Sequence, residues 1–372
     1  KTLASRIPEL DKVVYHNRLG TQGSRMHHVR AVARMIGQQL NDDTLASQAY
    51  EAATLAKADL LTDMVGEFPE LQGIMGRYYA QHEGLGDDIA FAIEDHYKPR
   101  FAGDVLPRNP VGICVALADK LVTLVDMFNI GEIPTGDKDP FALRRHALGV
   151  IRILIEENLS LKLDNLIQLV TRTIDGSVNS SDVRRVTLTV RILRHGSDNS
   201  ELLTLLHAFV YERLAGSLRE QGYTAQEVDA VLSLNPQHLG DIPKRLAAVR
   251  TFAALPEAIS LAAANKRVGN ILKKVEGDIP TRVDADLLRE PAEQALYQAL
   301  TGISPGTNEA FSAGDYTASL QILAALKSPV DAFFDNVMVN ADDESLRNNR
   351  LALLAHLHQA MNRVADLSKL AS

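Results

Sequence analysis

An all-α architecture in two units is the fold class this sequence predicts, on three observations. Apolar residues recur at helical spacing through most of the 372 residues. Aromatic residues make up only 5% and tryptophan is absent, whereas sandwiches and barrels lean on aromatic and β-branched side chains. Proline and glycine punctuation falls between the periodic stretches.

Residues 27–40 place Val29, Val32, Ala33, Ile36 and Leu40 on one stripe, and 48–65 and 88–97 continue the pattern. Residues 111–128 are apolar nearly all round, which predicts a central helix. Breaks stand at 84–86, at Lys98-Pro99 and at 108–110. After a loop over 131–140, Asp139 and Pro140 read as N-cap and N1 of a helix running through Glu157. Residues 158–200 read as a connecting helical segment. A second array starts at Glu201, is broken at Asn235-Pro236, Pro256, 277–280 and 304–306, and closes with a helix from about 343 to 370. The expected division is therefore 1–157, 158–200 and 201–372.

Composition excludes several classes of protein. With 39 basic and 47 acidic residues the formal charge is −8, which argues against an overall cationic coat but leaves room for a local basic face. Hydrophobic residues at 46% and charged ones at 23% are ordinary globular proportions. The single Cys114 excludes a disulfide framework and a cysteine zinc site, and fits a reducing cytoplasmic setting. No apolar run approaches the roughly 20 residues that span a bilayer, so no membrane partner is expected. The start at Lys1, with no Met and no apolar leader, reads as an internal piece of a longer polypeptide.

Polar groups on apolar stripes are the informative exceptions. Asp59 falls with Ala52, Leu55, Ala56 and Leu60. His96 follows Ile89, Ala92 and Ile93, Asp119 lies inside the all-apolar stretch, and His28 edges the first stripe. An unpartnered buried carboxylate is costly, so each inward Asp should have a partner. The order His, Asp, His, Asp across four helices resembles the HD phosphohydrolase superfamily, in which a His, an adjacent His-Asp pair and a distant Asp hold a metal that activates water. Here Lys57-Ala58-Asp59 has alanine where the second ligand belongs. His28, Asp59 and Asp119 are then degenerate positions, with no metal and no catalytic residue expected. A buried hydrogen-bonded network of Asp59, His96 and Asp119 is the preferred reading, and an HD-type metal-dependent phosphohydrolase the alternative.

More specific are LAKADLLTDMVGEFPELQGIMG at 55–76, ALADKL at 116–121, PTGDKDPFALRR at 134–145, NKRVGNILKK at 265–274 and FFDNVMV at 333–339. Together they closely resemble the β-subunit family of the bacterial two-subunit glycyl-tRNA synthetase, over essentially the whole chain. The resemblance implies the C-terminal half of that subunit: an HD-like helical domain without hydrolase function, then a helical-bundle anticodon-binding domain similar to that of arginyl-tRNA synthetase. It implies an aminoacyl-tRNA synthetase (ligase) subunit whose partners are the α subunit, in a heterotetramer, and tRNA(Gly). ATP and Mg2+ would serve the whole enzyme, with no cofactor in this part. Val122 departs from the pattern, which carries Asp after Leu121.

The basic faces can also be read for themselves. Across 261–275, Leu261, Ala264, Val268, Ile271, Leu272 and Val275 form an apolar stripe. Lys266, Arg267, Asn270, Lys273 and Lys274 project from the other side with no acid among them. Such a face suits phosphate contacts and base-edge hydrogen bonds in an unstacked loop; a solvated helix surface is the alternative. Given the resemblance, tRNA contact is favoured. Lys138, Arg144 and Arg145, at a loop and helix N-terminus, suit phosphates of the acceptor arm or simply close the domain. The spacing of a phosphate-binding Walker loop is absent there. Arg184, Arg185, Arg191 and Arg194 form a less specific group. Arg350, flanked by Arg347, projects onto the core side of the last helix, which predicts an internal ion pair with Asp331, Asp335 or Asp342.

Overall fold

The helix expected at 111–128 spans Pro110–Asn129, and every residue from Val111 to Phe128 is buried. Asn109 caps it by accepting the Gly112 amide, and Pro110 sits at the first turn, where a missing N–H costs nothing. In the computed structural model, which describes residues 1–40, 42–177 and 199–371, the chain divides into two units.

The first unit comprises Lys1–Leu214 with Gln237–Gly240. Helices Gln22–Gln39, Asp43–Leu55, Asp87–Asp95, Leu143–Glu156 and Leu163–Ser177 pack on the central helix. The first two approach closely because Gly37 has no side chain: a Cβ there would stand 2.6 Å from the Ala46 Cα. Val14–His16 and Gly20–Thr21 pair antiparallel, the only named strands among the described residues.

The second unit comprises Ala215–Pro236 and Asp241–Ser372. Its helices are Ala225–Leu232, Ile242–Ala253, Ala258–Leu272, Pro291–Ser312, Tyr316–Ile322, Lys327–Asn336 and Glu344–Met361, around fully buried Phe252 and Phe333. Thr224 and Glu227 form a capping box, and Glu227 also receives the Arg250 guanidinium at 2.7 and 2.8 Å.

Several boundaries differ from the periodicity reading. The 48–65 helix ends at Leu55 and gives way to a 3-10 turn over Ala58–Leu61. That turn brings the Asp59 carboxylate to the amides of Gly73 and Gly76. The helix expected from Pro140 begins at Leu143 after Ala142, which is left-handed at φ 54°. Pro305 does not break its helix: the Ser304 hydroxyl donates to the Leu300 carbonyl and that of Thr307 to Ile303 and Ser304, so side chains bond the carbonyls around the proline. The last helix stops at Met361, and a short 3-10 turn over Leu367–Leu370 follows.

The units meet at Leu214/Ala215, inside the Asn199–Glu220 helix, whereas the sequence puts a soft boundary between 158 and 200. The first half of that helix is tied into the first unit. Phe209 stacks edge-on against Phe128, and His207 meets Asp164 at 2.6 Å. Arg184, Arg185, Arg191 and Arg194 lie outside the described residues.

Candidate nucleic-acid interface

The Ala258–Leu272 helix buries Leu261, Ala262, Ala264, Asn265 and Val268 on one side. Side chains 100° away per residue then point outward. Lys266, Arg267, Asn270, Lys273 and Lys274 are all exposed along that outer side, so the five residues singled out from the sequence share one face. The helix lies three residues earlier than the expected 261–275, and Lys273 is its C-cap, where a cation meets the negative end of the helix dipole.

Three contacts fix this helix in its unit. Asn265 and Asn362 exchange side-chain amide hydrogen bonds of 2.8 and 3.0 Å. Ser260 donates to Asp331, which also holds Lys327 at 2.7 Å. The Arg267 guanidinium lies 4.2 Å over the Phe334 ring, a cation–π contact that restrains this exposed side chain. An acid-free row of ammonium, guanidinium and amide groups on a fixed helix can do two things. It can attract a polyanion, and it can hydrogen-bond an exposed base.

The arginines of the last helix are structural, as their projection implies, but the partner differs. Arg350 is buried and pairs with Glu293, and also donates to the Met338 carbonyl at 2.7 Å. Asp331 is taken by Lys327 and Ser260, and Asp335 and Asp342 are exposed. Half-buried Arg347 donates to the Ala341 carbonyl.

In the first unit, the terminus carrying Arg144 and Arg145 is filled from within. Asp139 accepts the backbone N–H groups of Leu143 at 2.8 Å and Arg144 at 3.0 Å. The Arg144 side chain donates to the Gly136 carbonyl, closing the loop on itself. The anion-attracting amides expected there already face a carboxylate. Exposed Lys138 and Arg145 remain outward.

The degenerate positions are buried near one another but do not form the shared network that was expected. Asp119 accepts from Arg25 at 2.8 Å and has Lys57 at 3.9 Å. Arg25 also donates to the Asp119 carbonyl and the Thr123 hydroxyl. Burial pushes the Asp119 carboxyl up, but the charges of Arg25 and Lys57 outweigh it and hold it well below the ordinary value. Burial brings Lys57 down to about 8 against the pull of Asp119, and its ammonium sits 3.8 Å over the Tyr97 ring.

His96 meets the Ile93 carbonyl through Nδ1 at 2.6 Å, so that nitrogen carries the proton. Burial, helped by the Lys57 charge, keeps the ring neutral. Asp59 accepts from Gly73 at 2.6 Å and Gly76 at 3.1 Å; burial raises its carboxyl against these bonds. Burial also lowers half-buried His28, to about 4.

This donor set does not fit a divalent metal. One carboxylate is neutralised by two cations, the other accepts backbone amides, and Ala58 offers no ligand. Val122 is fully buried, and besides Asp119 this helix buries a second carboxyl one turn after Val122, at Asp126.

Arg25 and Lys57 were missed in the sequence. Arg25 is four residues before Val29, on the apolar stripe itself, and that position was the available signal.

Comparison with known proteins also gives two stretches, the first of which runs past the boundary at Leu214/Ala215. A family model described as glycyl-tRNA synthetase beta subunit matches residues 1–233, and one described as DALR anticodon binding domain matches 261–369. The "Glycine--tRNA ligase beta subunit" of Methylobacillus flagellatus is 62% identical over 372 residues, all of this chain and 50% of that one. The proteins of the same name from Janthinobacterium sp. and Nitrosomonas europaea are 63% and 62% identical, with 50% and 51% of their lengths covered. The chain thus spans about half the length of the curated relatives it matches.

Proposed function

The chain belongs to the glycyl-tRNA synthetase β-subunit family, and on that footing we propose that it holds tRNA(Gly) for a ligase whose chemistry lies elsewhere. The anticodon arm docks on the second unit, along Lys266, Arg267, Asn270, Lys273 and Lys274. The α subunit carries out adenylation and glycyl transfer with ATP and Mg2+, in the cytoplasm. The contribution of this chain to the rate is positioning, since placing a bound reactant correctly removes an entropic part of the barrier. Lys138 and Arg145 serve as secondary phosphate contacts for the acceptor arm, with Arg144 bracing their loop.

One observation carries the reading: the acid-free cationic face falls inside the stretch matched by the anticodon-binding family, on a helix fixed at both flanks. The metal-hydrolase alternative is disfavoured by the Arg25–Asp119 ion pair. No single helix among the described residues is long and apolar enough to cross a membrane.

The test is binding of the chain to tRNA(Gly) and to the same tRNA with a substituted anticodon, at two salt concentrations. Affinity should fall with salt and with the anticodon change. Equal affinity for both tRNAs would reduce the second unit to a nonspecific support. No binding at either salt would leave the chain as a structural bridge between subunits.

A further inference from the structure

A second cationic cluster lies on the first unit, far in sequence from the stretch matched by the anticodon-binding family, with the Asp11 carboxylate near its His27 end only. His27, Arg30 and Arg34 follow one another at i, i+3 and i+7 along the Gln22–Gln39 helix, so they share one face over about 10 Å. Tyr50 of the neighbouring Asp43–Leu55 helix lies beneath them. The Arg30 guanidinium is 4.9 Å from its ring centroid and that of Arg34 is 5.8 Å away. His27 Nδ1 is 2.6 Å from an Arg30 nitrogen. His27 and Arg34 are exposed, and Arg30 and Tyr50 are half-buried.

Two features separate this cluster from an ordinary solvated face. Like charges four residues apart on a helix repel, by about 0.2–0.5 kcal/mol per pair, and here both are gathered on one ring. The usual relief is a carboxylate, as Glu156 provides for Arg152 and Asp331 for Lys327. Among the described residues, Arg30 and Arg34 have no ion-pair partner, in a chain whose net charge is −8. The Tyr50 ring beneath both guanidinium groups also restrains them, while one Arg30 nitrogen is taken by His27; the fork of donors that remains suits phosphate oxygens. The Arg30 charge adds to burial in lowering His27, so the ring accepts from the guanidinium rather than competing for the anion.

We propose that His27, Arg30 and Arg34, set on Tyr50, form a docking point for the phosphodiester backbone of RNA on the first unit. It rests on the reading that the chain binds tRNA, and adds a contact independent of the second unit. The cluster supplies charge and orientation to the backbone, and it lies outside the stretch matched by the anticodon-binding family.

The experiment measures tRNA(Gly) binding to the whole chain across a salt series. It compares the unchanged protein, Arg30→Gln/Arg34→Gln, and Lys266→Gln/Lys273→Gln/Lys274→Gln, with thermal unfolding as the control for folding. The arginine pair should lower affinity about tenfold at low salt and flatten the salt slope by about 1 to 2, with the preference for the native anticodon unchanged. Affinity and slope equal to the parent would overturn the proposal, whatever the lysine variant does. A loss in the arginine variant with none in the lysine variant would support this site and remove the anticodon face. If poly-L-glutamate displaces the RNA from the parent but not from the arginine variant at equal charge concentration, the cluster is a carboxylate site and the proposal fails.

Discussion

Asn265 and Asn362 bond each other twice, amide to amide, beneath the basic helix. Asn265 is fully buried, so its carbonyl and amide have no water to fall back on. Asn362 also donates to the His358 carbonyl at 2.7 Å, and so ties the end of the last helix to the floor of the cationic face.

Asn265→Ala should therefore destabilise the second unit by about 1–3 kcal/mol, the cost of an unmet buried polar group. Urea unfolding of the single variants and of the Asn265→Ala/Asn362→Ala double checks this. The double should lose less than the sum of the singles; simple additivity would mean the two amides do not act as a pair.

Arg25→Leu removes the closest cation from Asp119 and leaves Lys57 at 3.9 Å. The expected loss is about 3–5 kcal/mol, the range for breaking a buried ion pair on one side. Arg25→Leu/Asp119→Leu should regain much of it. A double variant as unstable as the single would locate the cost in packing rather than in the stranded charge.

Asp126 makes stability fall with rising pH. Burial raises its carboxyl to about 7 against the attraction of Arg25, while in the unfolded chain it ionises near the ordinary aspartate value of 3.8. Its contribution is intact below the unfolded value and is lost as pH rises towards 7. The cost at neutral pH and above reaches up to about 4 kcal/mol. Asp126→Asn should be the more stable protein, by a margin that widens from pH 5 to pH 8 in urea titrations. Asp119 has the opposite sign: its depressed carboxyl stabilises the fold above the unfolded value and loses that effect in acid.

Asp139→Ala uncovers the Leu143 and Arg144 amides. The helix should lose about 1–2 kcal/mol, as a missing cap does. The variant should also gain stability from added sulfate, which the parent should not, because the parent keeps its own anion there. Equal sulfate stabilisation of both proteins would contradict the assignment.

Direction was easier to read from the sequence than partnership. A helix such as Pro110–Asn129 shows itself by being apolar on every side, and projection alone turns Arg350 inward. Its partner Glu293 is 57 residues away, on a helix whose packing no local pattern encodes. The cationic row from Lys266 to Lys274 was legible because spacing and charge suffice for a face. The Arg267–Phe334 stack was not, since it depends on how two helices meet. Pro305 misled for a related reason: the residue type signals a break, but neighbouring hydroxyls bond the surrounding carbonyls and the helix runs on. Asp59 and Asp119 were correctly placed inside, yet what meets them was not legible: the Gly73 and Gly76 amides for Asp59, and Arg25 and Lys57 for Asp119.

The Arg25–Asp119 pair also sets the order in which this core can change. Ala58→His would place an imidazole next to Asp59 in the chain while the Asp119 carboxylate stays matched by two positive charges, and would bring no metal with it. The cations would have to leave first, and loss of Arg25 strands the Asp119 carboxylate on a helix buried along its length. Few substitutions separate this core from a metal centre, but the intermediate proteins would be the least stable of the series. Stability, more than distance in sequence, then stands between this core and a divalent metal.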